Sequence, residues 1–262
     1  MNKKHLMSGI VIVLLLFITP SITAQTYREI KGWSKEINER IETFLNTTLT
    51  MNIRKVAVFD GDGTVVGQAP HYLADEALYR YADKFYKGKS DKFSKEKMAI
   101  LNRMVKDGNN VGKAYVEDRA HFLAGMTPEE VANLGYDCYV ESYQGKFYPE
   151  MKQLIANLKE YGFEVWILTA SPEFLYQKFL SEELGIPEVN ILGMKSVVVD
   201  GVLTNEIVLP IPQDDGKANV IPTFIKTRPL VVGGNSRGDM DMLNQSCGLK
   251  IVVNPDDTTV RG

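Results

Sequence analysis

The chain has 262 residues, a formal charge of −3 at pH 7, 44% hydrophobic residues and 24% charged residues. That balance excludes a disordered or collagen-like chain, and the slight excess of acid excludes a globally basic nucleic-acid binder. Two cysteines, Cys138 and Cys247, are too few for a disulfide-rich scaffold or a four-cysteine zinc site.

Lys3 and Lys4 give the chain a positive start, Ile10 to Ile18 is unbroken apolar sequence, and Pro20, Ser21 and Ala24 close the stretch. This pattern predicts a secretory signal peptide over 1–24. The apolar run is shorter than the ~20 residues that cross a bilayer. The expected localisation is secreted or periplasmic, with no membrane association after signal cleavage. Such a compartment permits a disulfide, so a Cys138–Cys247 bond and two buried free thiols both stay open.

Ile30, Trp33, Ile37, Ile41, Phe44 and Leu45 recur mostly at spacings of three and four, which predicts an amphipathic helix over 28–45, broken at Asn46-Thr47-Thr48. Residues 53–59 read as a buried strand that stops at Asp60-Gly61-Asp62-Gly63. Residues 66–149 have no strong strand signal. Their helical patterns include Thr127-Pro128-Glu129-Glu130, a capping box with proline at the first helical position. A helix over 151–161 leads to a strand at 165–168 and a helix at 173–184, with Ser171 expected as its cap. Strands at 196–199 and 202–207 flank Asp200-Gly201 as a hairpin. Further strands are expected at 230–232 and 251–253.

Strands alternating with helices predict an α/β fold: a Rossmann-like parallel sheet with helices on both faces. The helical stretch at 66–149 is read as an inserted α-helical cap subdomain, leaving a discontinuous core of 25–65 and 150–262. The polar clusters after the strands at 53–59, 165–168 and 230–232 all fall at carboxyl ends, where such sheets bind ligands.

Asp60 and Asp62 stand two apart among glycines at a strand end. Two carboxylates this close repel unless a hard cation neutralises them or one takes a proton. One can then act as nucleophile and the other as general acid and base.

Phe59-Asp60-Gly61-Asp62-Gly63-Thr64 resembles the first motif of the haloacid dehalogenase superfamily. Leu168-Thr169-Ala170-Ser171 resembles the second, Gly216-Lys217 the lysine motif, and Gly234-Asn235-Ser236-Arg237-Gly238-Asp239 the acidic motif. The four follow in the family's order. The position of the insert, and its segment Phe122-Leu123-Ala124-Gly125-Met126-Thr127-Pro128, resemble the phosphoserine-phosphatase-like branch.

The resemblance implies an Mg²⁺-dependent phosphatase acting on a small-molecule phosphate ester through an aspartyl-phosphate. Asp60 would be the nucleophile and Asp62 the general acid and base. Thr169, Ala170, Lys217 and Arg237 would hold the substrate. Mg²⁺ would be held by the Asp60 carboxylate, the Asp62 carbonyl and the acidic motif. That motif usually has Asp after its first Gly, and here the residue is Asn235, so Asn235 and Asp239 are both candidates for the third ligand. The chemistry agrees with this reading: a monoester dianion and an aspartate repel, and Mg²⁺ and Lys217 would supply the positive charge between them.

A phosphotransferase of the same fold and a degenerate phosphate-ester binding protein are the alternatives. The branch usually carries an acid nine positions after the nucleophile, where this chain has Ala69, so phosphoserine is not the first expectation. The tyrosines of the insert are expected to pack its helices, with an aromatic cage as the alternative. Its lysines, Lys84 to Lys97, are expected on a solvated face, and His71 and His121 outside the chemistry. Oligomeric state is not legible.

Overall fold

A computed structural model describes residues 25–107 and 112–254. The predicted signal peptide lies outside the described residues. The chain first runs as an irregular strap. Asn157 pins the strap at Arg28, accepting from its N–H at 2.9 Å and donating to its carbonyl at 2.8 Å. Helix α1 spans Lys35–Thr48, with Ser34 accepting from the Ile37 N–H.

The expected start at 28 is therefore corrected. The Asn38 side chain accepts from the Ile30 N–H (2.8 Å) and donates to the Ile30 carbonyl (3.1 Å), which fixes the upstream chain in a non-helical path. Ile37, counted in the apolar stripe, is 47% exposed. Thr47 and Thr48 do not break the helix, because their hydroxyls donate back to the carbonyls of Phe44 and Leu45.

Strand β1, Val56–Asp60, is wholly buried. Helices α2 (Leu73–Phe85), α3 (Lys92–Asp107), α4 (Lys113–Leu123) and α5 (Pro128–Ser142) follow. The Thr127/Glu130 capping box is present at the start of α5. The chain leaves and returns through two adjacent segments, joined by Gly67 N–H to Lys146 O (2.8 Å) and Tyr148 N–H to Val65 O (3.0 Å). Lys97 corrects the expectation of a solvated lysine face. It is buried, and its ammonium donates to the carbonyls of His121, Phe122 and Ala124 at the end of α4, at 2.6–2.9 Å. These groups would otherwise be unpaired carbonyls of a helix terminus.

Helix α6 (Pro149–Glu160) leads to β2 (Glu164–Pro172), α7 (Glu173–Leu184) and the antiparallel pair β3 (Ile191–Val199) and β4 (Val202–Val208). Helix α8 (Asp215–Val220), β5 (Val231–Gly234), α9 (Met240–Leu243) and β6 (Leu249–Val252) complete the described chain. The sheet order is β4-β3-β2-β1-β5-β6, parallel except for the β3–β4 pair. Ala57, Phe59, Val165, Ile167 and Val231 pack into the apolar cluster on one face. Val56, Val58, Trp166, Leu168 and Val232 pack into the other cluster with Val220, Ile221, Met242 and Leu243. Burial on both faces is why these strands read as continuous apolar runs rather than alternating ones. From β1 the chain builds first toward β2 and β3, then crosses to β5 and β6 on the other side. The switch point therefore lies between β1 and β5, at their carboxyl ends.

Candidate active site

Sheet register places the first site residues together. Asp60 ends β1 and pairs in register with Leu168, so Thr169 is one step further along the neighbouring strand. On the other side Phe59 pairs with Gly233, and β5 ends at Gly234, just before Asn235. After Asp60 the chain turns tightly: the Val65 and Val66 N–H groups both donate to the Gly61 carbonyl. Gly63 has φ +81°, and a Cβ there would lie 2.2 Å from Asn235 Nδ2, so the turn requires glycine twice over.

Lys217 comes from α8 and is buried between two carboxylates. Its Nζ lies 2.6 Å from Asp60 Oδ1 and 2.6 Å from Asp239 Oδ1. The approach of α8 needs Gly216, where a Cβ would lie 2.0 Å from the Ile211 carbonyl oxygen. Burial alone would lower the Lys217 pKa, but Asp60 and Asp239 hold it above its usual range. Burial and the Asp239 charge push Asp60 up to about 7, against the pull of Lys217. For Asp239 the balance tips the other way. Burial would raise it, but Lys217 and the backbone N–H groups of Asn235 and Ser236 hold it below the usual carboxylate range.

The other Asp239 oxygen, Oδ2, accepts from the Asn235 N–H (3.0 Å), the Ser236 N–H (3.0 Å) and the Ser236 hydroxyl (3.2 Å). This carboxylate is fully engaged in holding Lys217 and its own turn. Of the two acidic-motif candidates, Asp239 has both oxygens in these contacts, while Asn235 borders the cleft. Asn235 Oδ1 and Asp60 Oδ2 both face the Thr64 hydroxyl, at 3.3 and 3.0 Å.

Asp62 is buried, and hydroxyls surround its carboxylate. Thr169 (3.2 Å) and Ser171 (3.3 Å) donate to Oδ2, and Tyr176 (2.8 Å) donates to Oδ1. Burial raises its pKa, opposed by the Tyr176 bond and the charge of Arg119. Ser171 is thus not the cap of α7, as expected from its place before Pro172. Pro172 holds the cap position and makes no side-chain cap bond; the Ser171 hydroxyl faces Asp62 instead.

These residues line a cleft of about 290 Å³, with Ala170 on its wall. Arg237 is exposed and does not line it, while Ser236 and Gly238 on either side do. Gln68, Tyr72, Gln213, Asp214 and Arg119 also line it and were not among the expected site residues. Arg119, from α4, is 1% exposed and paired with the equally buried Asp75, Nε to Oδ1 at 2.9 Å. Its signal was present in the sequence, since Arg119 occupies the helical face shared by Tyr115 and Leu123, both buried. Of the tyrosines in the insert, Tyr72 lines the cleft, and the buried Tyr115, Tyr139 and Tyr143 pack in the apolar cluster, as expected for helix packing. His121 meets the Glu117 carbonyl, and His71 packs edge-on against Tyr79. Cys138 and Cys247 are both free thiols, Cys138 buried and Cys247 exposed.

The site has an excess of negative charge. Asp60, Asp62 and Asp239 are set against Lys217, because Arg119 is already paired with Asp75. Among the described residues there is no group of three or more His, Cys, Asp or Glu side chains that could hold a metal ion. The oxygens at hand for a cation are those of the carboxylates, the Asn235 amide and the backbone carbonyls. That all-oxygen, hard donor set fits Mg²⁺.

The family model of haloacid dehalogenase-like hydrolases matches residues 57–244, which include all four motifs. The chain belongs to the haloacid dehalogenase-like hydrolases. It is 25% identical over 216 residues to phosphoserine phosphatase SerB1 of Mycobacterium tuberculosis (strain ATCC 25618 / H37Rv), a match covering 79% of this chain and 67% of that one. Its fold is similar to that of a Bordetella pertussis Tohama I protein of unknown function (TM-score 0.62, 16% identity, 80% of this chain and 94% of that chain). It is also similar to a functionally unknown protein from Anaerococcus prevotii DSM 20548 (TM-score 0.60, 18% identity, 80% and 83%).

Proposed function

We propose that this hydrolase is an exported phosphatase that hydrolyses small phosphate monoesters with Mg²⁺, through an aspartyl-phosphate on Asp60. The observation that carries this reading is the Lys217 ammonium 2.6 Å from Asp60 Oδ1, with Asp62 buried beside it among hydroxyl donors. Lys217 favours the ionised, nucleophilic form of Asp60 although burial raises its pKa, and its charge draws the phosphoryl dianion to the same place. Asp60 attacks phosphorus as the bond to the leaving oxygen breaks, and Asp62 gives that oxygen its proton. Asp62 then takes a proton from the water that cleaves the acyl phosphate. Thr169, which donates to Asp62 in the substrate-free site, is placed to donate to a phosphoryl oxygen. The Asp60 carboxylate, the Asp62 carbonyl and the Asn235 amide oxygen would hold Mg²⁺, which would offset the charge on the phosphoryl oxygens.

In this reading helices α2–α5 form a cap, set on the two adjacent segments at Val65–Gly67 and Lys146–Tyr148. The cleft is small and polar where the cap meets it, at Gln68, Tyr72 and Arg119. This favours compact, polar leaving groups. With Ala69 where the branch usually carries an acid, the mycobacterial relative's named substrate does not transfer directly to this chain. Export rests on the charged and apolar pattern of residues 1–24; among the described residues no helix is long and apolar enough to cross a membrane. The test is Asp60→Asn, assayed with a panel of small phosphate esters. Turnover should fall by about 10³ or more with the unfolding midpoint nearly unchanged, and retained turnover would refute the nucleophile assignment.

A further inference from the structure

Tyr176 is not part of any motif that points to this chemistry, yet it makes the shortest hydrogen bond to Asp62. It lies in the first turns of α7 with 0% exposure, and its ring packs 5.3 Å from that of Phe179. A phenylalanine would satisfy that packing. The hydroxyl needs its own explanation, because an oxygen in an apolar core is costly unless bonded. Besides the Ser171 hydroxyl, which lies within hydrogen-bonding reach of it, two partners have a fixed direction. The Ala74 N–H, at the start of α2, donates to the Tyr176 oxygen at 3.3 Å. That backbone donor leaves the single phenolic proton to point at Asp62 Oδ1, at 2.8 Å. Burial keeps the phenol protonated, so it remains a donor.

The two oxygens of Asp62 therefore have different surroundings. Oδ1 faces Tyr176, which does not line the cleft. Oδ2 faces Thr169 and Ser171, which do. The Thr169 and Ser171 hydroxyls can rotate to accept as well as donate, so a proton can reside on Oδ2 without losing its neighbours. On Oδ1 it would compete with the Tyr176 bond for the same oxygen, on the side away from the cleft.

We infer that Tyr176 is a positioning residue: it anchors Asp62 through Oδ1, so that the exchangeable proton sits on Oδ2, at the cleft side. The inference rests on the reading of Asp62 as general acid and base. In the phosphorylation step, the Asp60–phosphorus bond forms, the bond from phosphorus to the leaving oxygen breaks, and the Oδ2 proton passes to that oxygen. The alcohol departs neutral and Asp62 is left ionised. A second consequence follows from Ala74: the seating of α2 on α7 and the orientation of the acid share one hydroxyl.

The test compares two leaving groups in the full chain with Mg²⁺ present. An alkyl phosphate such as β-glycerophosphate needs protonation as it leaves, whereas 4-nitrophenyl phosphate does not. For Tyr176→Phe, kcat/KM on the alkyl ester should fall at least tenfold and on the nitrophenyl ester less than threefold. Km should stay within threefold, and the unfolding midpoint should remain close to that of the parent. An equal loss on both esters would make Tyr176 merely structural and overturn the inference, as would no loss on either. Asp62→Asn is the control. If it splits the two esters more strongly and Tyr176→Phe does not split them, only the role of Tyr176 fails. If Asp62→Asn shows no split, the acid assignment itself fails and the Tyr176 inference falls with it.

Discussion

Replacing Lys217 with methionine is the most searching perturbation of this site. Methionine keeps most of the side-chain volume and removes the charge that two buried carboxylates share, each 2.6 Å from the ammonium. Asp239 is 0% exposed and Asp60 5%, so solvent cannot take over. Removing one partner of a buried ion pair costs about 3–5 kcal/mol, chiefly because the remaining charge is stranded. Against a total stability of ~5–15 kcal/mol for an ordinary domain, such a loss is large but measurable. Protonation limits the damage. Asp60 is already pushed up to about 7 with Lys217 present, and without it the carboxyl rises further. A carboxyl whose folded-state pKa is raised folds best protonated, so the stability it contributes is present at low pH and lost as pH rises through that value. The variant should therefore be weakened more at pH 8 than at pH 6. Urea unfolding followed by circular dichroism at both pH values measures this. Adding Asp239→Asn should restore part of the loss at pH 8, because the amide oxygen still accepts from Asn235 and Ser236 while one stranded charge is gone. A Lys217→Met variant within about 1 kcal/mol of the parent at pH 8, with no pH dependence, would show that the two contacts do not hold the site together.

Two further outcomes are expected. Asn235→Asp should tighten Mg²⁺ binding, since a charged oxygen replaces a neutral one in a hard-donor set; calorimetry that found unchanged or weaker affinity would remove Asn235 from the ligand set. Lys97→Met should lower stability by about 1–3 kcal/mol by leaving the carbonyls of His121, Phe122 and Ala124 unpaired in a buried place. Its catalytic constants should hold, and a thermal midpoint unmoved by the change would restore Lys97 to the solvated surface.

Much of this molecule was legible from residue order because the relevant physics is local. Burial on both faces of the sheet makes β1 and β2 unmistakable apolar runs, and glycines at Gly61 and Gly63 mark where β1 must stop. The capping box of Thr127 and Glu130, and the boundaries of α7 at Glu173 and Gly185, follow from short-range hydrogen bonding and backbone freedom. The helix over 28–45 was misplaced because Asn38 reaches back to hold the strap, and an asparagine's side-chain partners leave no periodic trace.

The site divides along the same line. Local spacing was enough to single out Asp60 and Asp62, while Thr169 and Lys217 were singled out by their resemblance to the family's motifs. Pairings between distant segments were decided only by the folded chain: Asp239 with Lys217, Ser171 and Tyr176 with Asp62, and Asp75 with Arg119 across two helices. A buried polar group takes whatever complementary partner the packing delivers. Which partner that is depends on how elements far apart in the chain are brought together, a property of the assembled sheet and helices that no short stretch of residues contains.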